Sequence, residues 1–133
     1  MATLVDSCVL LDLFTNDPQW VSWSSSALAN QADQGSLIIN PFIYAEISIR
    51  FARIEVLEAV LTSATIECHP LPKEAAFLAG KCYLRYRRQG GAKTAPLPDF
   101  FIGAHAAVAG LPLLTRDPRR FAKYFPSVRL ISP

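Results

Sequence analysis

The chain is poor in the residues that announce common chemistries. Only three cysteines, two histidines and one methionine occur in 133 residues. The cysteine count is odd and no C-x-x-C spacing occurs, so neither a disulfide framework nor a zinc site is expected. His69 and His105 lack a second ligand at helical spacing and read as surface or satisfied core residues rather than metal ligands. There is no G-x-S-x-G, no Walker A loop, no G-x-G-x-x-G and no nucleophile-plus-histidine arrangement. Apolar runs are broken by Asp, Glu or Arg before they reach membrane-spanning length. Residues 1–14 are apolar but contain no Lys or Arg and carry Asp6 and Asp12, which makes a poor secretory signal. A soluble cytoplasmic protein with no membrane association is the expectation.

What is present suits one domain over residues 1–133: half of the chain is apolar and 18% is charged, enough for a real core and too hydrophobic for disorder. The charge is segregated. Residues 1–49 contain five acids and no Lys or Arg, whereas residues 50–133 contain all 13 bases and six acids. An acidic pocket beside basic surface would suit a metal site acting on a phosphate polymer; solvated faces of either sign are the alternative.

Strand-like and helical segments alternate along the chain. Residues 3–6 form a first strand and residues 7–14 a helical turn or short helix. Asp17-Pro18 opens a helix that runs through Trp20, Val21, Ser24, Leu28 and Ala32 and stops at Gly35. Residues 37–39 are a buried strand. Asn40-Pro41 opens a helix through Phe42, Ala45, Ile49 and Ala52, followed by a helix over 55–64 and a short strand over 65–68. A long helix over 73–89 ends at Gly90-Gly91, and a loop covers 90–97. Pro98 opens a helix over 99–109 closed by Gly110. A strand over 113–115, a short helix over 118–123 and a strand over 128–131 complete the chain. This order predicts an α/β fold with a central parallel sheet, in which ligands sit at the carboxyl ends of the strands.

Four carboxylates stand out. Asp6 and Asp117 both lie at the ends of predicted strands, and neighbouring parallel strands would bring them to one edge although 111 positions separate them. Asp99 and Asp117 also have a capping reading, as a first-turn acid and as an N-cap before Pro118. Glu46 has Phe42, Ile43, Ile49 and Arg50 at helical spacing, so it lies on or beside an apolar stripe. It needs a partner there, either a metal or Arg50. Several acids in one pocket repel unless a hard divalent cation such as Mg²⁺ or Mn²⁺ joins them. A metal held this way activates water and neutralises phosphate charge.

These residues sit in a recognisable series: "LVDSCVLLDLF", "NPFIYAEI", "LPDFFIGAHAAVAGLPLLTRD" and then "PRRF" before a last strand. In order and spacing the chain resembles PIN domains, and most closely the toxin ribonucleases of VapBC toxin–antitoxin modules. The resemblance implies a three-layer α/β/α fold. It also implies a Mg²⁺-dependent endoribonuclease (Mn²⁺ as substitute) with metal-binding acids at Asp6, Glu46, Asp99 and Asp117. Ser7 and Thr115 would orient the acids and the metal water. A homodimer and a cognate VapB-like antitoxin are further implications. Cys8 departs from the small polar residue common at its position, and is expected to be buried and inert. Asp12 is read as a structural or solvent-facing acid rather than a fifth ligand.

Arg85, Arg87 and Arg88, together with Arg116, Arg119 and Arg120, are candidate contacts for RNA phosphates; ordinary solvated helix ends are the competing reading. Trp20, Trp23, Tyr83 and Tyr86 fall at helical spacing and read as core or interface residues. The rival functional class is a protein- or RNA-interaction module whose pocket is silent or blocked by a partner's cation. A phosphatase or receiver domain is disfavoured: Cys8 stands where a phosphatase of the haloacid dehalogenase type needs a second Asp, and the acid pair and Lys of a receiver are missing.

Overall fold

The computed structural model describes residues 1–91 and 97–133. In chain order the described elements are β1 (Thr3–Val5), α1 (Ser7–Phe14), α2 (Val21–Gln34), β2 (Leu37–Ile39), α3 (Pro41–Ser48), α4 (Ile54–Ser63), β3 (Ile66–Cys68), α5 (Lys73–Arg88), α6 (Leu97–Ala109), β4 (Leu113–Leu114), α7 (Arg119–Tyr124) and β5 (Leu130–Ile131). The five strands form one parallel sheet in the order β3-β2-β1-β4-β5. Leu4, Val5, Ile38, Ile39, Leu113 and Leu114 are almost fully buried, as expected for central parallel strands covered on both faces.

Helices cover both faces, giving three layers, α/β/α. On one side α1, α2 and α4 enclose an apolar groove of about 610 Å³ with β2 and β3. On the other, α5, α6 and α7 gather around Phe100. Its ring centroid lies 5.6 Å from Tyr83, 5.4 Å from Tyr86 and 5.5 Å from Tyr124, spacings at which aromatic rings attract beyond their burial. Tyr83 and Tyr86 are therefore core-facing. No described helix is long and apolar enough to cross a membrane.

The sheet order has a switch point between β1 and β4. From β1 the chain moves outward to β2 and β3, then returns across the sheet to β4 and moves outward the other way to β5. At such a point the loops leaving two adjacent strands diverge and leave a crevice at their carboxyl ends. The register sets Val5 beside Leu114, so Asp6 and Thr115 leave the sheet side by side.

Several boundaries differ from the sequence expectation. The helix α2 begins at Val21 rather than at Pro18, because Asp17 caps a preceding turn, accepting from the Gln19 and Trp20 amides at 2.8 and 2.9 Å. The helix α3 stops at Ser48 instead of running to Ala52. Ile49 is left 83% exposed, and the chain turns so that Phe51 meets Phe14 edge-on at 5.2 Å. The helix α6 begins at Leu97 rather than after it. The loop expected over 90–97 lies, apart from its ends, outside the described residues.

Asn40 has two tasks. Its Oδ1 accepts from the Phe42 and Ile43 amides, both at 3.0 Å, capping α3. Its Nδ2 then faces His105 Nδ1 on α6 at 3.1 Å. An amide NH₂ only donates, so Nδ1 accepts and the imidazole proton sits on Nε2. Burial holds the His105 pKa below its ordinary value, in keeping with a neutral core histidine. Asn40→Ala removes the cap and strands a buried imidazole, and should cost about 2–3 kcal/mol in urea unfolding. Asn40→Asp, which keeps the cap but not the donor to His105, should fall between that variant and the wild type. Wild-type stability in both would show that neither contact matters.

Candidate active site

The crevice at the switch point is lined by Asp6, Ser7, Cys8, Asp99, Arg116, Asp117, Arg120 and Phe121. Asp6, the first residue after β1, is only 6% exposed. Its Oδ2 accepts from the Thr115 hydroxyl at 2.8 Å and lies 3.4 Å from Cys8 Sγ. Burial pushes the Asp6 pKa up, against the opposing hydrogen bonds from Thr115, Cys8 and Ser7. Ser7 links two acids: its hydroxyl donates to Glu46 Oε1 at 2.9 Å and lies 3.5 Å from Asp6 Oδ1. Thr115 also accepts from the Asp117 amide at 3.1 Å, which fixes the turn after β4.

Glu46 projects from the middle of α3 and is half-buried. Burial raises its pKa, and the negative charges of Asp6 and Asp99 raise it further, while Ser7 opposes. Its partner is Ser7; no ion pair joins it to Arg50. Asp99 lies in the first turn of α6, where an acid complements the helix dipole, and it also pairs with Arg120 Nη1 at 2.7 Å. Burial first, and then the Asp6 charge, push its pKa up to about 6 despite Arg120. Asp117 does not cap α7 with its side chain. It is largely exposed and sits 3.5 Å from Arg119 Nε.

The remaining basic candidates are placed variously. Arg85, Arg87 and Arg88 occupy the last turn of α5, where bases suit the helix end. Arg116 lines the crevice but pairs with Asp12 rather than with one of the four acids, donating from Nε at 2.8 Å. Asp12 itself is 2% exposed and also accepts from Ser24 at 2.7 Å. The solvent-facing alternative for Asp12 is therefore wrong: it is the buried half of an ion pair that ties α1 to α2 and to the segment after β4.

Cys8 stands closer to the chemistry than expected, within 3.6 Å of the Thr115 hydroxyl. It is partly exposed rather than buried, but burial and the Asp6 charge push its pKa up to about 12. A thiol so held stays protonated at neutral pH and is inert as a nucleophile.

A family model described as the PIN domain matches residues 3–125. The chain belongs to the PIN domain family. No curated protein sequence matches it. Among solved structures it is similar to VapBC2 from Rickettsia felis bound to a DNA fragment from its promoter, at 17% identity and TM-score 0.75, covering 100% of this chain and 99% of that one. A toxin–antitoxin complex from Klebsiella pneumoniae gives 22% identity and TM-score 0.70, covering 95% and 94%. VapBC-1 from nontypeable Haemophilus influenzae gives 16% and 0.72, covering 99% and 98%. At these identities the likeness establishes a shared PIN fold.

Whether the PIN pocket suits a divalent cation is a question of its donors. All four acids offer oxygen, the donor that Mg²⁺ and Mn²⁺ prefer. The pKa values of Asp6, Glu46 and Asp99 are raised first by burial, and those of Glu46 and Asp99 further by neighbouring acids. The donor set therefore fits. Among the described residues, however, no three of His, Cys, Asp or Glu form a ready-made metal group; hydroxyl and guanidinium donors hold the acids instead.

The shifts give a stability test in metal-free buffer. The folded-state pKa of Asp99 lies near 6 against 3.8 for the ordinary side chain. The folded state thus binds the proton more readily, and stability is gained as pH falls through about 6, the gain being complete below 3.8. Asp99→Asn should accordingly raise the melting temperature at pH 7.5 by about 2–5 °C, with the advantage shrinking towards pH 4.5. A variant less stable than wild type at pH 7.5 would mean that the Arg120 pair outweighs the burial cost.

Proposed function

We propose that this PIN domain is a metal-dependent endoribonuclease and the toxin of a type II toxin–antitoxin module. The observation that supports the reading is that Asp6, Asp99 and Asp117 line one crevice at the switch point, with Asp6 buried and clasped by Thr115 and joined through Ser7 to Glu46. In this reading Asp6, Glu46, Asp99 and Asp117 hold Mg²⁺, with Mn²⁺ as a substitute. When bound, the ion supplies an activated water and neutralises charge on the phosphodiester.

The chain's own residues do the positioning. Thr115 fixes the orientation of Asp6 through Oδ2, and Ser7 holds Glu46 beside it. Asp117, in the open mouth, completes the acid set. Arg85, Arg87, Arg88 and Arg119 present positive charge outside the acids, where an RNA backbone gains affinity by releasing counterions. RNA rather than DNA as substrate rests on the resemblance to toxin ribonucleases.

The partner reading is supported by the similar structures, which are VapBC and toxin–antitoxin complexes. A VapB-like antitoxin is therefore proposed as the regulator. The apolar groove between α1, α2 and α4, flanked by exposed Ile54 and Val56, is the surface assigned to it. A homodimer belongs to the same reading.

An interaction module with a silent pocket is the second reading, favoured by the lack of a ready-made metal group among the described residues. Cleavage of a labelled RNA in Mg²⁺ or Mn²⁺ separates the two. Activity should vanish with EDTA and fall at least about 100-fold in Asp6→Asn, a loss of at least about 2.7 kcal/mol in transition-state stabilisation. Undiminished cleavage by Asp6→Asn sinks the nuclease site, and no metal-dependent cleavage at all favours the silent module.

A further inference from the structure

Three arginines come from one short stretch, and each faces a different acid. Arg116 pairs with Asp12 outside the metal-binding set. Arg119 reaches Asp117 at 3.5 Å, but both side chains are in solvent, at 89% and 62% exposure, and such pairs are worth little. Arg120 is different. Its Nη1 is 2.7 Å from Asp99 Oδ2, with side chains 32% and 26% exposed. Its guanidinium also lies 5.7 Å from the centre of the Tyr86 ring on α5, within the range of a cation–π contact. It lines the same crevice as Asp6 and Asp117. A cation of the chain's own is thus seated on one of the oxygens proposed above as a metal donor.

We infer that Arg120 is a resident counter-ion for Asp99, one that a divalent cation must displace before it can use that carboxylate. The inference rests on the reading of Asp99 as a metal donor. A divalent ion serves several carboxylates at once with twice the charge, whereas the guanidinium serves one, so the ion wins at sufficient concentration. The released side chain has somewhere to go: Tyr86 keeps it at the pocket wall, where a polyanion entering the crevice meets it. Arg120 therefore sets the metal concentration at which the site fills, acting through Asp99 as a positioning residue.

The test titrates Mn²⁺ alone into the full-length chain by calorimetry. Arg120→Gln should bind Mn²⁺ about 3- to 10-fold more tightly than wild type, the range expected when a partly screened ion pair no longer competes. Arg120→Lys, which keeps the charge, should stay nearer wild type, and Arg53→Gln, whose partner Glu55 lies outside the acid set, should leave Mn²⁺ affinity unchanged. In the wild type, the Arg120 Nε–Hε NMR signal, identified by its loss in Arg120→Lys, should move as Mg²⁺ saturates the site. A wild type that binds Mn²⁺ together with an Arg120→Gln variant that binds it no better overturns the inference alone. Absence of Mn²⁺ binding in both chains overturns the metal reading of the acids and the inference with it. An Arg120 signal indifferent to Mg²⁺ in a chain that binds it shows that the guanidinium is not displaced, and also defeats the proposal.

Discussion

The arrangement around the site depends on one contact, the hydrogen bond from Thr115 to Asp6. A carboxylate left almost without solvent is costly, and the cost falls only if donors surround it. The parallel pairing of β1 with β4 supplies the main one, because the residue after Leu114 emerges beside the residue after Val5. Thr115 then spends its remaining capacity on the Asp117 amide, so one hydroxyl fixes a buried acid and shapes the turn carrying a second. The switch point provides the room, and this side chain decides how the room is furnished.

The same economy governs charge. The acidic first third and the basic remainder do not fold into two opposed patches. They interlock: Arg116 reaches back 104 positions to Asp12, while Arg119 and Arg120 meet Asp117 and Asp99 within the basic part. Of the four site acids, Asp6 and Glu46 are held by hydroxyl and thiol donors with no cation among the described residues. They are also among the acids whose pKa burial raises most plainly. The pocket is thus neutralised unevenly, open in the centre and countered at its rim.

Much of this was legible before the structure. Strand-end position marks Asp6 and Asp117, and an acid amid Phe42, Ile43 and Ile49 marks Glu46, since each signal is local; Thr115 came only with the family resemblance. What escaped is what depends on distant partners. Asp12 looked optional because its guanidinium comes from the far end of the chain. Asn40 read as a cap, which it is, but nothing local announces His105. The end of α3 was missed because helical periodicity runs through Ile49, whereas packing of Phe51 on Phe14 draws the backbone out of the helix. Arg120 looked like one of six interchangeable bases; its place against both Asp99 and Tyr86 is a product of three helices meeting.

Cys8 bears on which ion such a pocket would prefer. A thiolate beside the acids would add a soft donor and favour zinc or another thiophilic metal. In the metal-free site, burial and the neighbouring Asp6 charge push the thiol pKa up to about 12, so the thiol is protonated. The sulfur instead faces the carboxylate, 3.4 Å from Asp6 Oδ2, and adds to the donors that steady it. The Asp6 carboxylate thus keeps the neighbouring thiol neutral and takes it as a donor. In the proposed reading the donors to the ion are the carboxylate oxygens, which suit the hard cations Mg²⁺ and Mn²⁺.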